Sequence, residues 1–252
     1  MTVAFDAVGP SSAGAGTATG GPLSWTHTGS GSALLVGVSL DAGSDTGITL
    51  SVTCDSVAMT SLGKVESGSG GQGFLEVFAA AGLVGSSHAI VATSSNPGGT
   101  GDLEGGSLSF TGAGTTVGAA FGTPATGSSS SLGASIAVTL SSTTSGNMVA
   151  AFLANGTTIS SVGSPATSRF IINQMGGGGS GTGNAAGATS PSTGSAVTTT
   201  WTVTQAFGAM LAVEVLAAPA GVTSGPPLSL VAVNRPALVV SNSGWRNAGR
   251  SR

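Results

Sequence analysis

Apolar and polar residues alternate with a period of two along most of the chain. Ile48 to Cys54 places Ile48, Leu50, Val52 and Cys54 on one face and Thr49, Ser51 and Thr53 on the other. Ser135 to Leu140 repeats the pattern, and Val197 to Thr204 sets Val197, Trp201 and Val203 against Thr198, Thr200, Thr202 and Thr204. A period of two is that of a strand with one face buried, and β-branched Thr suits the other, solvated face. Other blocks are apolar on both faces: Ala33 to Leu40, Phe74 to Ala81, Asn147 to Ala154 and Phe207 to Leu216. These read as central strands covered on both sides. Shorter strand candidates are Val3 to Phe5, Leu23 to His27, His88 to Ala92, Leu103 to Phe110 and Arg169 to Asn173.

About ten to twelve strands separated by Gly, Ser, Asn and Pro clusters predict an all-β, antiparallel β-sandwich of jelly-roll type. Gly and Ser interrupt every helical period. Ser128 to Ser131 and Gly176 to Gly183 read as loop. No linker divides the body, so residues 1–218 are expected to form one sandwich. After Ala218, Pro219, Pro226, Pro227 and Pro236 punctuate short apolar pieces, Leu228 to Val233 and Ala237 to Val240. Pieces this short make no core of their own, so 219–252 is expected to be an extended C-terminal arm that docks on another surface.

Composition sharpens that division. Hydrophobic residues make up 40% of the 252 positions, enough for a core, but charged residues make up only 6%, against about a quarter in ordinary soluble domains. A surface so poor in charge fits a protein covered by neighbours in an assembly. The net charge of −3 is unevenly spread. Every acid precedes residue 235, with only Lys64 and Arg169 as bases there, whereas Arg235, Arg246, Arg250 and Arg252 crowd the end.

Motifs for chemistry are lacking. Cys54 is the single cysteine, in the inward phase of its strand, and reads as a small core residue; no internal disulfide can form. His27 and His88 lie among Thr and Ser and read as surface or half-buried strand residues, with no zinc spacing to Cys54. No Gly-x-Ser-x-Gly elbow occurs, the Gly176–Gly179 run lacks the Lys and helix of a phosphate loop, and no motif pairs two carboxylates for glycan hydrolysis. Asp41 to Asp45 and Asp102 to Glu104 could offer oxygens to calcium, but they match no calcium loop and read as turn caps. No catalytic residue, metal or cofactor is expected. The acidic body disfavours nucleic acid. Ala206 to Val222, broken by Glu214 and Pro219, is too short to cross a bilayer comfortably, and Met1 to Pro10 carries Asp6 but no basic residue of a secretory signal. Trp25 and Trp201 read as core. Trp245, among arginines in the arm, has the character of an interface anchor.

An ordered series of short motifs carries a resemblance. It runs through Leu23-Ser24-Trp25-Thr26-His27-Thr28, Ala33 to Leu40, Val57-Ala58-Met59-Thr60 and Phe78-Ala79-Ala80-Ala81-Gly82. It continues through His88 to Ala92, Leu108-Ser109-Phe110-Thr111-Gly112, Phe121-Gly122-Thr123-Pro124 and Met210 to Glu214. Over roughly residues 20–218 the chain resembles a sandwich module of minor tail and other virion proteins of phages that infect actinobacteria. The basic arm after Pro219 has no counterpart in that pattern. The resemblance implies a structural or adhesive protein, made in a bacterial cytoplasm and resident in the virion. Its sandwich would build or decorate the particle beside other virion proteins, including copies of itself. Its arm would dock on a neighbouring subunit through Leu228, Leu230, Val231 and Trp245, with Arg235, Arg246, Arg250 and Arg252 pairing with acids there. Two alternatives share the same module: a capsid decoration or head protein, and an adhesin for host-surface glycan.

Overall fold

In the computed structural model each doubly apolar block stands between two cores, and the described residues form three cores in all. The structure describes residues 1–219 apart from 12–13, 15–16, 20, 43–45, 69–72, 96–100, 132 and 175–182. The first half of the described chain holds β1 (Ala4–Gly9), β2 (Thr17–Thr19), β3 (Leu23–Thr28), β4 (Ala33–Asp41), β5 (Leu50–Cys54), β6 (Val57–Ala58), β7 (Thr60–Glu66), β8 (Gly73–Ala81), β9 (Ser87–Ser94) and β10 (Asp102–Thr111). A single helical turn, α1 (Val117–Ala120), leads into the second half. There follow β11 (Ala125–Ser131), β12 (Ser135–Leu140), β13 (Met148–Asn155), β14 (Ile159–Val162), β15 (Thr167–Ile172), β16 (Asn184–Pro191), β17 (Val197–Val203) and β18 (Ala206–Val215).

All strand pairs are antiparallel, and the two halves repeat one topology. In the first half, the sheet β1-β10-β4-β8-β7, with β2 beside β10, faces the sheet β3-β9-β5-β6. In the second, β11-β18-β13-β16-β15 faces β12-β17-β14. Apart from β1–β2, β5–β6, β7–β8 and β15–β16, successive strands cross from one sheet to the other, so each half is wound as a jelly roll. The all-β antiparallel fold expected from the sequence is therefore present, but as two sandwiches in series rather than one sheet pair.

The halves lie back to back through their six- and five-stranded sheets, and the central strands of those sheets send alternate residues into different cores. From β4, Leu34, Val36, Val38 and Leu40 enter the core of the first sandwich, while Ala33 and Leu35 enter a central core between the halves. From β13, Val149, Ala151 and Leu153 enter the core of the second sandwich, and Ala150, Phe152 and Ala154 the central one. β18 divides likewise, with Met210 and Ala212 on one side and Leu211, Val213 and Val215 on the other. The outer strands β3, β5, β12 and β17 keep the strict buried–exposed alternation, because one of their faces meets solvent. Trp25 and Trp201 lie in the two sandwich cores, as expected.

Two aromatic rings interlock the inner sheets. A Cβ on Gly37 would lie 2.3 Å from the Phe152 ring, and one on Gly106 would lie 2.8 Å from the ring of Phe170. Gly187, beside Phe170 in its own sheet, is closed to a side chain in the same way, at 2.3 Å. The two rings sit 6.3 Å apart at 49°, within the range where aromatic pairs attract beyond their buried area. At the margin, Arg169 lies over the Phe5 ring at 3.7 Å, a cation–π contact from the second half to the first.

Ser128 to Ser131, expected as loop, instead belongs to β11 and pairs with Phe207 to Gly208 and neighbouring residues of β18. An edge position supplies the backbone partners that serine-rich sequence cannot specify alone. Most of Gly176 to Gly183 lies outside the described residues, and so does the arm from 220 onward. Among the described residues no helix is long and apolar enough to cross a membrane.

Filling a glycine of the interlock should cost stability that a smaller partner ring restores. Gly37→Ala is expected to destabilise by about 1–3 kcal/mol, as overpacked cores do. With Phe152→Leu added, the double variant should be more stable than the sum of the singles by at least ~1 kcal/mol in denaturant titrations. Additive losses would mean that the two side chains do not compete for one space.

Candidate functional site

One cluster of buried polar groups in the first sandwich joins both histidines to the single cysteine's hairpin. β3 and β9 pair with His27 directly opposite His88, and both occupy the inward phase of their strands. Both are buried, at 1% and 3% exposure, not at the surface or half-exposed as their Thr and Ser neighbours suggested. A buried imidazole needs partners. Ser107 on β10 supplies one: its Oγ accepts the Trp25 Nε1–H at 3.0 Å and lies 2.8 Å from His27 Nδ1. Burial, and next the neighbouring His88, push the His27 pKa down from 6.5 to about 4, with Asp6 pulling weakly the other way.

His88 is held differently. Its Nδ1 lies 2.7 Å from Asp55 Oδ2, while the backbone N–H of Ala89 donates to Asp55 Oδ1 at 2.8 Å. Asp55 and Ser56 form the two-residue turn between β5 and β6, both with positive φ (51° and 67°), the backbone of a type I′ hairpin. The turn thus carries its carboxylate back onto β9. The hydrogen bond to His88 chiefly, and that from Ala89, hold the Asp55 pKa below the usual carboxylate value. Cys54 precedes the turn, buried in the inward phase as expected. Burial, and then the Asp55 charge, push its thiol up to about 11. Ligand atoms of Cys54, Asp55 and His88 all lie within 4.8 Å of one another, the one such trio among the described residues.

The trio borders an open groove of about 330 Å³. Its apolar wall includes Leu83, Val57 and Val84, the last two 69% and 88% exposed. A second hollow, of about 360 Å³, is lined by Ser141, Ser142 and Glu214, but the Glu214 carboxylate is engaged in capping Thr144 N and Asn147 Nδ2.

Of the acidic candidates, Asp41 and Asp102 meet as direct cross-strand partners. Burial, then the like charge of Asp102, raise the Asp41 pKa. Asp45 is outside the described residues. The expected partner-binding residues Leu228, Leu230, Val231, Arg235, Trp245, Arg246, Arg250 and Arg252 also lie outside them. The Cys54–Asp55–His88 trio escaped sequence reading because His88 stands far from the turn in sequence; only the β5–β9 pairing joins them. One signal was available: His88 shares its phase with Ile90 and Ala92, which are buried. Compared with family models, curated proteins and solved structures, the chain matches none.

The depressed His27 pKa has a sign that can be checked. The unfolded chain takes up a proton near 6.5 and the folded chain only near 4. Stability is therefore greatest above about pH 6.5 and falls as pH drops toward 4, by up to about 3 kcal/mol from this residue. Denaturant titrations across that window should show His27→Gln with a flatter pH profile than the parent; parallel profiles would remove His27 from the account.

Proposed function

We propose that the chain is a structural protein of a bacteriophage particle, a minor tail protein whose double sandwich is a rigid block and whose segment 219–252 docks on a neighbouring subunit. The observation that carries this reading is that the strands of 4–215 close three cores among themselves. Residues Met1–Ala220 form one compact unit by themselves. The apolar residues of the arm are thus not required to complete the body, and a partner surface is the natural place to bury Leu228, Leu230, Val231 and Trp245. Eight-stranded jelly rolls recur in viral capsid proteins and in lectins alike, so the fold narrows the choice without making it.

Support for an assembly role over glycan adhesion comes from the aromatic residues. Sugar-binding faces present exposed rings, whereas Trp25 and Trp201 are buried and, among the described residues, the exposed large apolar side chains are Met1, Val57 and Val84. The partners are then other virion proteins, copies of this chain among them. A capsid decoration role uses the same chemistry at another place in the particle.

A chain ending at 218 should fold with an unchanged melting temperature yet be missing from purified particles. Trp245→Ala in the full chain should weaken docking by 2 kcal/mol or more, roughly thirtyfold, as buried interface aromatics do. Incorporation of the truncated chain at parental occupancy would end the docking reading.

A further inference from the structure

We propose that Cys54, Asp55 and His88 form a binding site for a divalent cation of the zinc class. Thiolate sulfur, imidazole nitrogen and carboxylate oxygen are the donor set that such borderline-soft cations select, and calcium or magnesium would reject the sulfur. The ligand atoms already lie within 4.8 Å of one another. Metal bonds of about 2.0–2.3 Å in tetrahedral array need ligand atoms roughly 3.3–3.8 Å apart, so binding requires side-chain adjustment, including opening of the Asp55–His88 contact from 2.7 Å.

The imidazole can present the nitrogen the site needs. His88 is buried, and Nδ1 is the ring nitrogen that meets Asp55. Nε2 has no hydrogen-bond partner, so the ring proton can sit there while Nδ1 turns its lone pair to a cation. Asp55, half exposed at 50%, sits where the trio meets solvent. The groove lined by all three residues provides a route for entry and room for solvent at a remaining coordination position.

Placement in the fold favours a preorganised site. Cys54 and His88 come from paired strands, β5 and β9, whose register sets Cys54 opposite Ile90, two residues from His88. Asp55 is fixed by the turn and by the Ala89 N–H. Binding exchanges the Cys54 thiol proton for the cation, giving one metal thiolate and one released proton. The cation's charge offsets both effects that disfavour the thiolate, its burial and the nearby Asp55 carboxylate.

Cobalt(II) titrated into the full chain under reducing conditions reports thiolate coordination directly. The expected result is one equivalent bound per chain, with a thiolate-to-cobalt charge-transfer band that zinc abolishes by displacement. Cys54→Ser should lose the band, and the surface variant Asp55→Asn, which keeps the turn, should weaken binding at least tenfold. Circular dichroism of each variant checks that it is folded. Absence of the band at one equivalent, or parental affinity in Asp55→Asn, overturns the site.

Discussion

The interlock of Phe152 and Phe170 with Gly37, Gly106 and Gly187 is the constraint on which the rest of the molecule depends. Two twisted sheets that face one another normally stand about 10 Å apart, with side chains from both filling the gap. Here each ring is seated against a bare backbone of the opposite sheet, which aligns the two halves and lets small residues such as Ala150, Ala154, Ala185 and Ala209 fill the remaining space. The inner strands are then buried on both faces. Few positions on them can carry a solvated charge, which accounts in part for a chain with only 6% charged residues. The same burial explains the hydroxyl-rich polar phase of β10, where Ser107 and Ser109 serve as partners for Trp25, His27 and Asp6 rather than for water.

Much of this fold was legible in the residues, and the exceptions have physical causes. Outer strands were clear because each has one wet face, as in Val197 to Val203. The blocks apolar on both faces, such as Ala33 to Leu40, correctly read as central strands. What such a block does not reveal is whether its second face meets another sheet of the same sandwich or a second sandwich, because burial alone is the same in both. The repeated topology was hidden because strand order depends on pairings between distant segments, such as β1 with β10 and β11 with β18. Ser128 to Ser131 illustrates the limit: a run of serine becomes a strand only because Phe207 to Ala209 lies beside it.

The candidate site was less legible than the fold. Cys54 was placed in the core rightly, but the two histidines were read from their neighbours in sequence rather than from their phase. Their burial follows from that phase, and fixed partners meet one nitrogen of each ring, Ser107 for His27 and Asp55 for His88. A polar cluster held this firmly at the end of a rigid sandwich, beside an apolar groove, is a feature that a purely scaffolding role does not require. The assembly reading and the cation reading thus rest on different parts of the molecule: the first on closed cores and a basic C-terminal sequence, the second on one positive-φ turn and its neighbours.

The central claim is that a shared core makes the two sandwiches one cooperative body. Scanning calorimetry of residues 1–218 tests it most directly, by comparing the calorimetric enthalpy with the van't Hoff enthalpy of the same transition. A single transition with a ratio near ~1 is the expected result. Two transitions, or a single one whose calorimetric enthalpy is about twice the van't Hoff value, would show halves that unfold independently and would contradict the interlock.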